Sequence, residues 1–420
     1  MKGTATALIG LGVFVSIGLF AQQQSPQLPA PTQARPNFGS VVPKPGTAQL
    51  KVPQGFVVDN YAENVPAARL MVFAPNGDLF VSQSNDNSIG VFRDTNKDGI
   101  PEERSVFAKG PAPAGRGGGP GLPPTTAPST GELTQPFGLA FQNGYLYVGN
   151  TDSVVRYKYT TGDLKAQGKP EKLVDLPGRG NHPMRDVLFS RDGRKMYVSV
   201  GSSNNIDDTG NGNEKRAAIH EYNPDGTGFR FFAQGIRNPS GLTWQPVTNT
   251  LWTAVNERDG LGDDLVPDYA TSVKDGGFYG WPYSYFGNHV DTRVPNQKPD
   301  MVAKAIVPDI QIPAHSAALG LAFYTGTQFP QRYRNGLFVA LHGSWNRSTT
   351  SGVKVIFVPF TNNRPSGPPE DFLTGFVVDP NMNSKWGRPV GVTVTPDGSL
   401  LVSSDEGNQG IFRIRYMAAK

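Results

Sequence analysis

From Val52 onward the chain repeats one phrase: an apolar strand, a turn with Asn, Asp or Gly, then a second apolar strand. The copies read LMVFAPNGDLFVSQ from Leu70, FGLAFQNGYLYVGN from Phe137 and DVLFSRDGRKMYVSVG from Asp186. They continue as GLTWQPVTNTLWTAVN from Gly241, GLAFYTGTQFPQRYRNGLFVALHG from Gly320 and GVTVTPDGSLLVSSDEG from Gly391. Asn-Gly and Asp-Gly between alternating apolar residues are a strong hairpin signal, because both residue types tolerate positive φ. Most copies are followed by a further strand, such as SIGVFRD, SVVRYKY, KVIFVPF or GIFRIRY. Three strands per repeat, with a fourth from the connecting segments, predict an all-β, six-bladed β-propeller. A β-sandwich with long loops is the competing architecture. The segment GFVVDNYAENV, ahead of the first copy, has strand composition but no hairpin partner; it is expected to complete the last blade and leave no free edge. Uneven spacing places long insertions between some blades. One is the irregular, Gly- and Pro-rich loop from Gly110 to Gly131; another runs from Asp263 to Pro313 and carries GGFYGWPYSYFG.

Ahead of the repeats, Lys2 and an apolar stretch from Ala5 to Phe20, ending at Ala21, predict a signal peptide over residues 1–21. The alternative is an uncleaved anchor, but the stretch is shorter than the roughly 20 residues that span a bilayer. Residues 22–51, rich in Gln, Pro, Ser and Thr, read as a flexible tether, and 52–420 as the propeller. The expected compartment is periplasmic or secreted, and nothing later in the chain reads as a membrane span.

Composition narrows the chemistry. The 420 residues contain no Cys, which excludes disulfides, thiolate metal sites and cysteine catalysis. They include 50 Gly and 37 Pro, yet 10% aromatics, as suits a folded, turn-rich β protein rather than a disordered chain. A net charge of +4 is too small for a nucleic-acid partner. The five His residues show no metalloprotease spacing, and no Gly-x-Ser-x-Gly elbow occurs. His182, in GNHPMRDVLFS, sits just before an inner strand, where a propeller loop aims it at the channel mouth. Arg237-Asn238-Pro239, His342 to Arg347 (HGSWNR) and Arg388-Pro389 occupy equivalent loops. Converging Arg and His side chains imply a polyanionic ligand, since guanidinium groups hold carboxylates or phosphates in fixed geometry. Separately, Asp94, Asn96 and Asp98 followed by Gly99 open a calcium-loop motif, with Glu102 and Glu103 downstream and Ser105 where the full motif has Glu. The same residues also make an ordinary turn without metal.

GNHPMRDVLFSRDG, GIRNPSGL, a following GDD and GGFYGWP together resemble the soluble quinoprotein glucose/sorbosone dehydrogenases. LHGSWNR and GRPVGV are most similar to the sorbosone branch. The resemblance covers about Val52 to Tyr416 and implies a six-bladed propeller holding pyrroloquinoline quinone and Ca2+. It places His182 as general base, taking a proton while hydride passes to the quinone C5. Arg237 and Asn238 take the pair beside the quinone oxygens, and Arg388 takes one carboxylate-binding arginine. His342 falls where glucose dehydrogenases carry a lysine, with Arg347 as the replacement cation. The carbonyls of Arg258 and Asp259, in NERDGLGDD, map to the ligands of the cofactor calcium. Ser202 stands where those enzymes have an Asp that orients the base, which implies a substrate preference other than glucose. The implied substrate is an aldose or sorbosone-like sugar aldehyde, and electrons leave to a diffusible or membrane acceptor. The residues leave two other readings open: a calcium-dependent sugar lactonase, and a non-catalytic propeller that captures an anionic partner.

Overall fold

The computed structural model describes residues 25–111, 129–178, 180–207 and 214–417. The signal-peptide expectation and most of the Gly110–Gly131 loop lie outside the described residues. Each repeat copy forms the first hairpin of an antiparallel sheet, and six such sheets follow one another along the chain. The first comprises Ala68–Phe73, Leu79–Gln83, Ser88–Arg93 and Glu103–Lys109. The second comprises Leu139–Gln142, Tyr145–Gly149, Ser153–Lys158 and Glu171–Asp175. Val187–Phe189, Met196–Val200, Ala218–Tyr222 and Arg230–Gln234 make the third. Pro239–Trp244, Leu251–Val255, Asp268–Val273 and Ile310–Ile312 make the fourth. The fifth is Ala318–Phe323, Leu337–Leu341, Lys354–Val358 and Glu370–Leu373. In the sixth, Gly387–Val394, Leu400–Gly407 and Gly410–Tyr416 are joined by Phe56–Glu63, paired antiparallel with Phe56 opposite Tyr416. The lone strand ahead of the repeats thus closes the last sheet, as its composition predicts. The turn Asn143-Gly144 has φ of 48° and 75°, the left-handed pair that a tight hairpin needs.

The central strands are apolar on both faces because each sheet is packed on both sides. Successive residues point in opposite directions, so Phe80 joins the cluster shared with the second sheet, while Leu79 and Val81 join the cluster shared with the sixth. An apolar cluster fills every junction around the cycle, including that between the sixth sheet and the first. The first strands also touch in cyclic order. Near their starts Leu70, Phe137, Met184, Leu319 and Val390, from five different sheets, meet in one further cluster. Glycine at the head of a repeat makes this convergence possible. A Cβ on Gly320 would lie 2.5 Å from the Val390 carbonyl, and one on Gly391 would strike the Arg69 carbonyl, each in the next sheet.

Two expectations are revised. The Asp263–Pro313 stretch is not wholly an insertion: it supplies the third and fourth strands of the fourth sheet, and Gly277–Phe278 pairs parallel with Arg230–Gln234. Nor do residues 25–51 hang free as a tether. They run as a strap along the fold: Ser25 Oγ accepts from the Asn288 amide and Thr32 donates to the Leu261 carbonyl. Further on, Ser40–Val41 pairs with Ser384–Lys385, and Val42, Ala48 and Leu50 pack on the fifth–sixth junction. A Pro-rich sequence reads as unstructured because it forms no ladder of its own; here other loops supply the partners.

Candidate active site

The loops before the first strands and after the second strands of the third, fourth and fifth sheets, with the start of the sixth sheet's first strand, surround a cavity of about 390 Å³. Asn181, His182, Asn205, Arg237, Asn256, Glu257, Asp259, Asp268, His315, His342, Trp345 and Arg388 line it. Its size is that of a small-cofactor or substrate pocket.

The tautomer of His182 follows from its neighbours. Nδ1 lies 2.8 Å from the Ser202 carbonyl and 3.0 Å from Ser202 Oγ, while that hydroxyl donates its own proton to the Asn204 carbonyl at 2.7 Å. Both neighbours therefore accept, Nδ1 carries the hydrogen, and Nε2 keeps its lone pair. Burial, reinforced by the guanidinium charges of Arg237, Arg216 and Arg185, pushes the His182 pKa well below the usual imidazole range. The ring is neutral and ready to accept a proton.

Arg237 is buried and anchored. Its Nε donates to the Asn205 carbonyl at 3.0 Å, Nη1 to the Asn256 and Glu257 carbonyls at 3.1 and 2.7 Å, and Nη2 to Asn205 Oδ1 at 2.9 Å. Asn238 Oδ1 is buried without a donor, and a Cβ on Gly201 would collide with both that oxygen and the His182 Cβ, so the two functional loops are pressed together. Arg388 donates from Nε to the His342 carbonyl at 2.9 Å and pairs with Glu406 at 3.1 Å. His342 Nε2 meets buried Asp405 at 2.8 Å, and Asp405 also pairs with Arg69 at 2.8 Å. Burial and the Arg388 charge push His342 down to about 4, so it stands neutral with Nε2–H donated to Asp405. Arg347 does not line the cavity: Nη1 donates to the Asp263 carbonyl and Nη2 pairs with Asp264 at 3.0 Å.

The cavity wall also carries a histidine that the motifs did not single out, His315. His315 Nε2 lies 2.8 Å from the Gly262 carbonyl, which only accepts, and Nδ1 lies 3.1 Å from Asp259 Oδ1. Burial opposes a charge there, but the bonds to Asp259 and Gly262 outweigh it and raise the pKa. His315 stands before the fifth sheet as His182 stands before the third, so the repeat register carried the signal. Asp268, whose two oxygens accept from the Glu257 and Ala317 amides, is raised by burial to about 7. Glu257 Oε1 is buried and unpaired.

A tricarboxylate quinone suits the cavity's volume and its Arg237 and Arg388 walls, where guanidinium groups can hold carboxylates. Of the calcium ligands expected at the Arg258 and Asp259 carbonyls, that of Asp259 fits less well. The Asp259 carbonyl already accepts from Asn205 Nδ2 at 3.0 Å and Arg293 Nη1 at 2.8 Å, and the Arg258 side chain is buried against Glu257 and Asp291. Elsewhere, carboxylate oxygens of Asp94, Asp98 and Glu102 lie within 4.8 Å of one another. Asn96 Oδ1 there accepts from the Asp98 amide at 2.8 Å.

The family model described as TrAA12-like matches residues 50–267 and 289–416. An uncharacterized protein of Borreliella burgdorferi is 28% identical over 386 residues, 88% of this chain and 92% of that one. The pyrroloquinoline quinone-dependent pyranose dehydrogenase of Coprinopsis cinerea is 28% identical over 296 residues, 56% of this chain but 40% of that protein. The holo form of its PQQ domain superposes with a TM-score of 0.69 at 22% identity, covering 89% of this chain and 98% of that one. The calcium structure of Trichoderma reesei carbohydrate-active enzyme family AA12 gives 0.70 at 18% identity, covering 94% and 100%. At these identities the structures establish a shared fold.

Proposed function

The chain belongs to the TrAA12-like family, and from that premise we propose that it is a pyrroloquinoline quinone-dependent dehydrogenase of an aldose or sugar aldehyde, built as a six-bladed propeller. One observation carries the reading: a neutral His182 with its Nε2 lone pair free, in a cavity walled by Arg237 and Arg388. When bound, the quinone supplies the hydride acceptor. His182 takes the proton from the sugar hydroxyl at Nε2, and its anchored Nδ1–H keeps the ring in that tautomer throughout. Arg237, fixed by carbonyls it cannot leave cheaply, presents its charge where negative charge develops. Arg388 would hold a carboxylate of the cofactor. Asn238, on the loop of Arg237, would hydrogen-bond the bound group, and neutral His342 completes the wall. Calcium accompanies the quinone in this reading, with no step assigned to it. The pyranose dehydrogenase and the AA12 fold support a sugar substrate; a sorbosone-like aldehyde is the finer form of the proposal. Electrons leave to a diffusible or membrane acceptor outside the cytoplasm.

The test uses purified full-length chain, quinone, calcium and a reducible dye, with a panel of aldoses and sorbosone. Dye reduction that needs the quinone supports the reading, and His182→Ala is expected to lower kcat by about 10²–10⁴-fold. Lactone hydrolysis without quinone, drawing on the acidic wall of Glu257, Asp259 and Asp268, would overturn it in favour of a hydrolase.

A further inference from the structure

Two large aromatic rings stand in water at the cavity mouth. Phe38, on the strap, and Trp345, in the loop after Leu337–Leu341, stack with centroids 5.5 Å apart and planes 14° from parallel. Phe38 is 74% exposed and Trp345 45% exposed, although Trp345 also lines the cavity. Exposing an aromatic ring forgoes a substantial burial free energy, and neither ring enters the clusters at the sheet junctions.

The arrangement is built rather than incidental. The residue before Phe38 is clamped on every side: the Asn37 amide donates to the Trp345 carbonyl at 2.7 Å, and Asn37 Nδ2 donates to the Ser348 and Asn381 carbonyls at 3.0 and 2.8 Å. Asn383 Nδ2 in turn donates to the Asn37 carbonyl at 2.6 Å. Two residues after Phe38, Ser40–Val41 is locked into its parallel pairing. The strap therefore holds Phe38 over Trp345 with a backbone that has little freedom to move.

We propose that Phe38 and Trp345 form a saccharide-stacking platform, so that the substrate has at least two sugar rings: one at His182 and the next on the platform. A pyranose has a face of C–H groups and a rim of hydroxyls. The C–H face suits the negative face of an aromatic ring. The rim needs exposed polar groups, and exposed Asn181 on the cavity wall and the Arg347–Asp264 pair two residues beyond Trp345 supply them. A protein partner requires roughly 800 Å² from each side, far more than two rings, whereas one sugar ring is of matching size. The identity of the inner ring rests on the dehydrogenase reading; the platform itself does not.

The test separates the two. Full-length chain without quinone is titrated calorimetrically with redox-inert saccharides: a methyl glucoside, and the methyl glycosides of a disaccharide and a trisaccharide. The disaccharide is expected to bind about fivefold to tenfold more tightly than the glucoside. Phe38→Ala and Trp345→Ala should each remove that advantage, and Phe38→Tyr should retain it, which guards against misfolding as the cause. Disaccharide binding of this kind by a protein that oxidises no sugar once loaded with quinone leaves the platform standing and sinks the dehydrogenase. Equal affinity for one and two rings, or variants that bind the disaccharide like the wild type, overturns the platform. So does self-association that the variants abolish without any saccharide binding, since the patch would then belong to a second copy.

Discussion

At the residue scale the proposed base, His182, is defined by what holds its other nitrogen. Ser202 offers His182 Nδ1–H two acceptors, a carbonyl and a hydroxyl, neither of them charged. A carboxylate at that position would stabilise the imidazolium and offset the burial that now depresses it. Ser202→Asp is therefore expected to move the acid limb of the kcat/KM profile upward in pH. Ser202→Ala, which removes one acceptor and leaves the carbonyl, should cost about threefold to tenfold in kcat with little movement of that limb. Matching pH profiles for Ser202→Asp and wild type would show that the hydroxyl does not set the base's affinity for its proton. The convergence of His182, Arg237, Arg388 and His342 on one cavity was legible in the sequence because each sits at the head of a repeat strand or the end of the next one, whereas Asn238 lies behind the wall, against Gly201. His315 obeys the same rule, in PAHSAALG, but has no adjacent Arg to mark it. Asp405 and Arg69, which fix His342, were beyond reach, since their meeting depends on the sixth sheet lying against the first. The position of Arg347 was misjudged for a related reason: its partners Asp263 and Asp264 come from another loop.

At the element scale the six hairpins were readable from Asn, Asp and Gly between apolar runs, and so was the closing strand. The strap was not, because the hydrogen bonds that hold it to the fold go to segments distant in sequence. Close packing of neighbouring first strands makes a sharp prediction. Gly320→Ala puts a methyl group against the Val390 carbonyl at 2.5 Å and the Gly391 Cα at 3.0 Å, both backbone atoms that no rotamer change can relieve. It is expected to cost about 1–3 kcal/mol in denaturant unfolding. Gly46→Ala, where an added Cβ meets nothing within 4 Å, is the neutral control. Similar stabilities for the two variants would mean that adjacent sheets can part without loss.

At the scale of the whole molecule, stability against pH is a contest between buried groups of opposite sense. His182 is held well below its usual pKa, His220 at about 3 and His342 at about 4, in each case chiefly by burial. Between those values and about 6.5 the unfolded chain binds protons that the folded chain refuses. The stability these histidines confer is complete above 6.5 and is lost on acidification, by up to about 1.4 kcal/mol per pH unit for each. Asp186 and Asp268, raised by burial to about 7, oppose this, because below 7 the folded state holds protons that the unfolded carboxylates release down to about 4. The wild-type Tm should consequently fall gently from pH 6.5 to 4.5. Asp186→Asn removes one opposing group, so its Tm, already lower at neutral pH, should fall more steeply. Parallel curves for the two proteins would contradict the raised Asp186 pKa.

Pairing Phe56–Glu63 with Gly410–Tyr416 also sets the order of events at the ribosome. The first strand of the ring to be synthesised is the last to find its partner, some 350 residues later. Until then its edge is an open template for any other chain. Closure over so long a loop makes folding slow rather than the product unstable. Loss of the final strand, by nonsense mutation or proteolysis, would unseal both ends of the circle at once, leaving the arginine-bearing sixth sheet without its neighbour and the nascent edge permanently bare.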